Sequence, residues 1–193
     1  MKTQFRIMAS VIGLVVSGAV AAAGVTTNPG STAGTQGTGG QVEFTGSITD
    51  VSCNVTSKSA NQQVDLGKWA KSYFTGNGIE TTKTAFHINV EDCPSSVTQV
   101  AVLFDGNKDK TDSSLLAINT GTGNATGIGI KLYEENQSKQ VALGAVTDKH
   151  PVTAGTSGTG SADLTFYADY KSTGTAVTTG NANGVADFNM VYN

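Results

Sequence analysis

The chain has 193 residues, of which 38% are hydrophobic and 14% are charged, and its formal net charge is −3. Twelve basic residues in a chain this long form no basic cluster, so recognition of a nucleic-acid backbone is excluded. The same lack of a basic patch excludes binding to an anionic membrane surface.

The first 23 residues predict a secretory signal peptide. Lys2 and Arg6 precede an apolar run at residues 7–20, and the small residues 21–24 follow it. The apolar run is too short to span a membrane, so no membrane insertion is expected. Cleavage is expected after Ala23, with Ala21 as the competing site. Removal of this segment leaves ten lysines against fifteen acidic residues, a net charge of about −5.

Two cysteines, Cys53 and Cys93, remain in the exported chain. An oxidising compartment favours a disulfide between them. Closing a loop of about 40 residues stabilises a fold by about 4 kcal/mol on the chain-entropy estimate. Two cysteines with only His87 and His150 available do not make a structural zinc site. We therefore expect no metal and no cofactor.

The rest of the chain predicts one all-β domain behind a tail. Residues 24–40 are rich in Gly, Thr and Ser and have little to bury, which predicts a flexible N-terminal tail. Residues 41–193 contain short apolar alternations separated by Gly and Asn turns, which indicates an antiparallel β-sandwich. Residues 68–74 predict at most one turn of helix. The apolar positions are Val42, Phe44 and Ile48; Val64 and Leu66; Phe86, Ile88 and Val90; Val100, Val102 and Phe104; Leu115 to Ile118; Ile128, Ile130 and Leu132; Leu164, Phe166, Ala168 and Tyr170; and Phe188, Met190 and Tyr192.

Catalytic motifs are absent from the sequence. It contains neither a GxSxG elbow nor an HExxH helix, and His87 alternates with apolar positions, so its side chain is expected to point outward. We predict no catalytic residue. A secreted carbohydrate-binding β-sandwich that uses Trp69 and Tyr73 as a platform is the alternative from another class.

Several segments together resemble the major pilins of chaperone-usher fimbriae, close to the type 1 subunits. They are GGQVEFTGSITDVSC ending at Cys53, VDLG, FHINVEDC ending at Cys93, GIGIKLYE, KSTGTAVTTGNANG and the last alternation with Tyr192. The resemblance covers nearly all of the mature chain. It implies an immunoglobulin-like sandwich that lacks its last strand and is completed by a donor strand from another subunit.

The resemblance also implies the partners and the site. A periplasmic chaperone would first fill the groove, and at an outer-membrane usher the N-terminal extension of the next subunit would replace it. The chain would then polymerise head-to-tail as a structural subunit of a surface fimbria that supports cell adhesion, with a host-surface receptor as a possible partner of the fibre. A minor or adaptor pilin remains open. The implied groove and chaperone contacts are Phe188, Met190, Tyr192 and Asn193, and the implied donor residues within 24–40 are Val25, Ala33, Thr35, Gly37 and Gly39.

Overall fold

The computed structural model describes residues 32, 34, 35, 37, 39–49, 51–155, 159–174 and 176–193. The chain divides into two compact units, Met1–Ile48 and Thr49–Asn193. The described residues of the first unit are exposed to solvent and contain no strand. All the strands of the described part of the chain belong to the second unit.

The second unit is almost entirely β-structure, with one helical turn, α1 (Ser57–Ala60), and one 3-10 turn at Lys71–Tyr73. Its strands are β1 (Asn54–Val55), β2 (Thr84–Pro94), β3 (Gln99–Gly106), β4 (Leu116–Ala117), β5 (Ile128–Tyr133), β6 (His150–Pro151), β7 (Thr153–Ala154), β8 (Thr159–Ser172) and β9 (Ala186–Tyr192).

Two antiparallel sheets form a sandwich. The larger sheet has the order β1-β2-β8-β5-β4, with β7 also paired to β8, and the smaller sheet has the order β6-β3-β9. The sheets pack face to face through aromatic rings: the centroid of Phe104 on β3 lies 5.1 Å from that of Phe166 on β8 and 6.1 Å from that of Phe86 on β2. The predicted all-β sandwich is confirmed.

A period of two places the core residues. On β3, Val100, Val102 and Phe104 are buried, and on β8, Leu164 and Phe166 are fully buried. Each set points to one face of its strand because successive side chains of a strand alternate between faces. The predicted apolar positions on β2, β3, β5 and β8 therefore form the core between the sheets.

Two predicted strands are not formed. The described residues 39–49 contain no strand, and Val42, Phe44 and Ile48 have exposed fractions of 73%, 92% and 102%. Val64 and Leu66 lie in irregular chain, where Leu66 is buried and Val64 is half-buried. The strand predicted at residues 42–48 is not formed because an alternating pattern identifies a strand with one apolar face but does not identify the sheet that the strand joins.

The predicted disulfide between Cys53 and Cys93 is present, and both residues are buried. It joins the chain just before β1 to the end of β2. The register between β2 and β8 shifts between Val90 and Cys93, and Asp92 has a φ of 54° at this irregularity. The Asn54 side-chain amide donates to Asp92 at 3.1 Å, which ties β1 to the same bend. Such a bulge turns the end of a strand.

The outer face of the larger sheet contains a buried polar pair. Asp169 on β8 and Tyr133 on β5 are 0% and 1% exposed, and the tyrosine hydroxyl donates to Asp169 Oδ2 at 3.0 Å. The Lys83 and Lys131 ammonium groups lie 4.4 Å and 4.7 Å from the centre of the Tyr133 ring. Long lysine side chains thus cover a pair that would otherwise face water.

No helix within the described ranges is both long enough and apolar enough to cross a membrane.

Candidate functional site

The most incomplete part of the fold is the free edge of β9. This strand pairs with β3 along its whole length, with Phe188 opposite Phe104, Met190 opposite Val102 and Tyr192 opposite Val100. No strand of residues 51–155, 159–174 or 176–193 pairs with its other side. Every second N–H and C=O of β9 therefore points away from β3 without a strand partner, which makes this edge a template for an added strand.

The apolar face of β9 is also only half covered. Phe188, Met190 and Tyr192 are half-buried, although their cross-strand partners on β3 are buried. These three residues are the expected border of the groove, and they lie together on the inward face of one edge strand. The three side chains are only partly covered because β9 has no neighbouring strand on one side.

Incomplete burial is concentrated along this strand. Twelve half-buried apolar residues pack against the core, and four of them lie on β9, more than on any other strand. The full set is Val55, Val64, Trp69, Ile79, Phe86, Val152, Tyr170, Ala182, Ala186, Phe188, Met190 and Tyr192. The free backbone edge and the uncovered apolar surface therefore coincide, and an added strand with its own apolar face would satisfy both.

Tyr192 and Asn193 make contacts within the chain. The Tyr192 hydroxyl donates to the backbone oxygen of Cys53 at 3.2 Å, and burial raises the pKa of this phenol. The backbone N–H of Asn193 donates to Gln99 at 3.0 Å, and its backbone oxygen accepts from the N–H of Thr98 at 2.9 Å. These bonds hold the end of β9 against β3 and the disulfide, and the chaperone contact at Tyr192 and Asn193 stays a prediction.

The expected donor residues lie in the other unit of the chain. Val25 and Ala33 are outside the described residues, and Thr35, Gly37 and Gly39 are exposed. The donor strand is expected within residues 24–40, and the alternation after it is expected to belong to the domain. Their assignment as donors stays a prediction.

Sequence reasoning missed a second candidate for the donor. Val42, Phe44 and Ile48 are the three most exposed large apolar residues in the described chain. Their period-two spacing was the signal, and it had been used to place a strand of the domain itself. An apolar alternation that is exposed in its own chain has the pattern of a strand that pairs elsewhere.

The aromatic cluster at residues 69–74 has a structural role. Trp69 is half-buried, packs against the core and donates through Nε1 to the backbone oxygen of Leu66 at 2.8 Å. Tyr73 is 44% exposed, and its ring lies 4.9 Å from that of Trp69 at an angle of 54°. The indole N–H is used within the chain and the two rings are tilted, so both pack as part of the fold; their use as a carbohydrate platform stays an untested alternative.

Comparisons with known proteins all identify the same family. The family model described as "Fimbrial protein" matches residues 42–193. The chain is 39% identical over 154 residues to long polar fimbria protein A of Salmonella typhimurium, covering 79% of this chain and 83% of that protein. It is 34% identical over 193 residues to the fimbrial subunit type 1 of Salmonella typhimurium, covering 98% and 99%.

Among solved structures, the fold resembles the crystal structure of the P pilus rod subunit PapA. The TM-score is 0.61 at 26% identity, and the match covers 73% of this chain and 99% of that one. The relatives are structural fimbrial subunits and not enzymes. The chain therefore belongs to the fimbrial protein family, and it is a structural pilin of a fimbria.

Proposed function

We propose that this pilin polymerises head-to-tail when residues 42–48 of one copy add as a strand to the free edge of β9 of another copy. The proposal rests on one observation: an exposed apolar segment and an incompletely covered edge strand are complementary. One unit presents Val42, Phe44 and Ile48 to solvent, and the other has an edge strand whose inward side chains are half-buried. Strand addition satisfies the open backbone through hydrogen bonds and buries alternate side chains.

Burial of the donor side chains stabilises the contact between subunits. Burying three large apolar side chains at about 1.5 to 3 kcal/mol each stabilises the contact by roughly 5 to 9 kcal/mol before ordering entropy is counted. The backbone hydrogen bonds of the new ladder add to this term. Because donor and acceptor are different surfaces, the contact does not close on itself and produces a filament.

Within residues 42–48, Gly46 occupies a position where the alternation would otherwise place an apolar side chain. It lies on the same face as Phe44 and Ile48, so a bulky side chain of the acceptor can approach the donor backbone there. The predicted donor residues Thr35, Gly37 and Gly39 precede this segment and lengthen the donor. A longer donor adds backbone hydrogen bonds, whereas residues 42–48 supply the apolar contacts.

A chaperone and an usher deliver the subunit to the growing fibre. A periplasmic chaperone covers β9 and contacts the end of this strand at Tyr192 and Asn193, and an outer-membrane usher exchanges the chaperone strand for the next subunit. The signal-like segment 1–23 supports export to the periplasm. Relatives that are fimbrial subunits support a location in surface fimbriae, where the fibre meets host surfaces and supports adhesion.

The test is a comparison of two soluble chains. The first contains residues 49–193 alone, and the second carries a copy of residues 39–48 after Asn193, joined by a short flexible turn. We expect the first chain to aggregate or to melt at low temperature, and the second to be a monomer with a much higher Tm.

The matched control inserts one residue between Gln41 and Val42 of the appended copy, which ends at Ile48. A slip by one residue moves Val42, Phe44 and Ile48 to the other face of the strand. The slipped chain should lose most of the gain in Tm. If residues 49–193 alone form a stable monomer, or if the slipped copy stabilises as well as the original, strand addition by residues 42–48 is wrong.

A further inference from the structure

Two Asn-Gly dipeptides occur in the chain, at Asn77–Gly78 and at Asn183–Gly184. In such a dipeptide the backbone nitrogen of the glycine readily attacks the side-chain amide of the asparagine, because glycine has no Cβ to obstruct the approach. Both asparagines are exposed to solvent. The hydrogen bonds around the two attacking nitrogens, however, are opposite.

The turn that contains Asn77 holds its attacking nitrogen in a hydrogen bond. The backbone N–H of Gly78 donates to the backbone oxygen of Ser172 at 2.9 Å, and the N–H of Ile79 donates to the Ser172 hydroxyl at 2.9 Å. Ser172 is 0% exposed. The carbonyl oxygen of Asn77 accepts no hydrogen bond from the described residues. Attack by Gly78 therefore requires this turn to leave Ser172 first, which is a local opening of the fold.

The segment before β9 arranges the same atoms in the opposite way. The carbonyl oxygen of Asn183 accepts from the backbone N–H of Asn119 at 2.6 Å, whereas the N–H of Gly184 has no hydrogen-bond partner in the part of the chain that the structure describes. The attacking species is the amide anion, whose negative charge lies largely on this carbonyl oxygen. A donor at that oxygen stabilises the anion. At Asn183–Gly184 the nitrogen therefore breaks no hydrogen bond within the chain, and its reactive form is stabilised.

Packing requires glycine at position 184. A Cβ there would lie 2.8 Å from Cδ1 of Ile130 and 2.9 Å from the backbone oxygen of Ala117. Any larger residue would have to displace the backbone of a neighbouring segment. The dipeptide can therefore be altered without disturbing the sandwich only at Asn183, which is exposed.

We propose that Asn183 is a site of spontaneous deamidation in the folded chain and that Asn77 is protected. The nitrogen of Gly184 forms a bond to Cγ of Asn183, and the Cγ–Nδ2 bond breaks. The side-chain nitrogen leaves as ammonia with the proton that the Gly184 nitrogen gives up. Water then opens the succinimide ring at either carbonyl carbon, which leaves aspartate or isoaspartate at position 183.

The product changes the segment that leads into β9. A new negative charge appears three residues before this strand, whose second residue, Asp187, already lies opposite Asp105 of β3. Further negative charge at this end of the strand is unfavourable. Isoaspartate also adds one methylene to the backbone beside the tightly packed Gly184. Each subunit of a long-lived fibre therefore carries an ageing site next to its free-edge strand.

The test incubates intact fibres of the mature chain at mildly alkaline pH in water enriched in oxygen-18, so that each hydrolysed ring takes up the label. Digestion in ordinary water and peptide mapping by mass spectrometry then follow both asparagines in one sample. The same chain, reduced and unfolded in denaturant, gives the rate of each dipeptide without the fold.

We expect the ratio of the Asn183 rate to the Asn77 rate to be about tenfold larger in fibres than in the unfolded chain. One hydrogen bond assists attack at Asn183 and another must break at Asn77, and two ordinary hydrogen bonds together correspond to about this factor. A ratio less than about threefold above that of the unfolded chain would overturn the proposal. Absence of label at Asn183 when the unfolded chain is fully labelled would overturn it too.

Asn183→Gln is the matched variant, because glutamine keeps the amide but would have to close a larger and less favourable ring. Label at position 183 should disappear from this variant, and label at Asn77 should stay at the parent rate. Label that persists at position 183 would show that the chemistry is not attack by Gly184. The reaction does not depend on which segment donates a strand to β9, so its failure would leave the assembly proposal intact.

Discussion

Replacement of Asp169 by Asn should remove a specific pH dependence from the stability of the fold. Asp169 is 0% exposed, and burial raises the pKa of its carboxyl from 3.8 to about 6. The groups that face it are Tyr133, Glu80, Lys83 and Lys131. The hydroxyl of Tyr133 donates to Oδ2 at 3.0 Å, whereas Oδ1 has no partner among the described residues.

The sign follows from proton binding. Because the pKa of Asp169 is higher in the folded chain than in the unfolded chain, folding is favoured when the carboxyl is protonated. This contribution is complete below about pH 4 and is lost as the pH rises through about 6. A difference of about two pKa units corresponds to about 3 kcal/mol of unfolding free energy. Asn stays neutral at every pH, and its side-chain oxygen still accepts from Tyr133.

The assay is denaturant unfolding of the chain with the appended donor strand, from pH 5 to pH 8. Asp169→Asn should exceed the unfolding free energy of the parent by about 1.5 kcal/mol at pH 5 and by about 3 kcal/mol at pH 8, because the carboxyl of the unfolded parent is already mostly ionised at pH 5. Hydrogen bonds from Ser114 and Lys171 lower the pKa of Asp112 to about 2, so the stabilisation from Asp112 is lost only at lower pH. The exposed Asp105→Asn is the control. Parallel stability curves for parent and Asp169→Asn would refute the reasoning.

Four further substitutions test the assembly site and its support. Met190→Asp places a charge on the half-covered face of β9 and should abolish fibres seen by electron microscopy, whereas Asn189→Asp on the exposed face should not; fibres from both would remove β9 from the site. Phe44→Asp should prevent a subunit from donating but not from accepting a strand in mixtures with the parent, and a failure in both roles would show that the substitution damages the fold. Cys53→Ser should lower the unfolding free energy of the donor-appended chain by up to about 4 kcal/mol; an unchanged Tm would mean that the disulfide does not stabilise it. Tyr192→Phe removes the bond to the backbone oxygen of Cys53 and should cost about 1 kcal/mol in denaturant titrations, while no loss would mean that water replaces it.

Much of the fold could be predicted from local sequence patterns. The alternation on β2, β3, β5, β8 and β9 predicts strands with one apolar face. The first four of these strands form the core, and β9 packs against it half-buried. The disulfide was predictable from two cysteines in an exported chain. The very short strands β1, β6 and β7 were not, because two residues show no period and such strands exist only through their neighbours.

The polar features that the structure adds have no local signal. Asp169 occupies an outward position of its strand, where a sequence pattern predicts exposure, yet it is buried beside Tyr133, whose ring lies under two lysine side chains. Glu134 follows an alternating strand and would be assigned to a solvated turn, yet it is 3% exposed, and its Oε1 accepts from the backbone N–H of Asp148. Burial of these groups depends on residues distant in sequence.

The sequence by itself determined which segments have an apolar face. The same period of two occurs in residues 42–48 and in β9, and it marks both as strands. Only the tertiary structure separated them: β9 is paired on one side and half-buried, whereas residues 42–48 have no place in the sheets and remain exposed. The physical reason is that periodicity is a property of a single strand, whereas pairing is a property of two strands. The partner of a strand therefore depends on which strand edges the rest of the fold leaves unpaired.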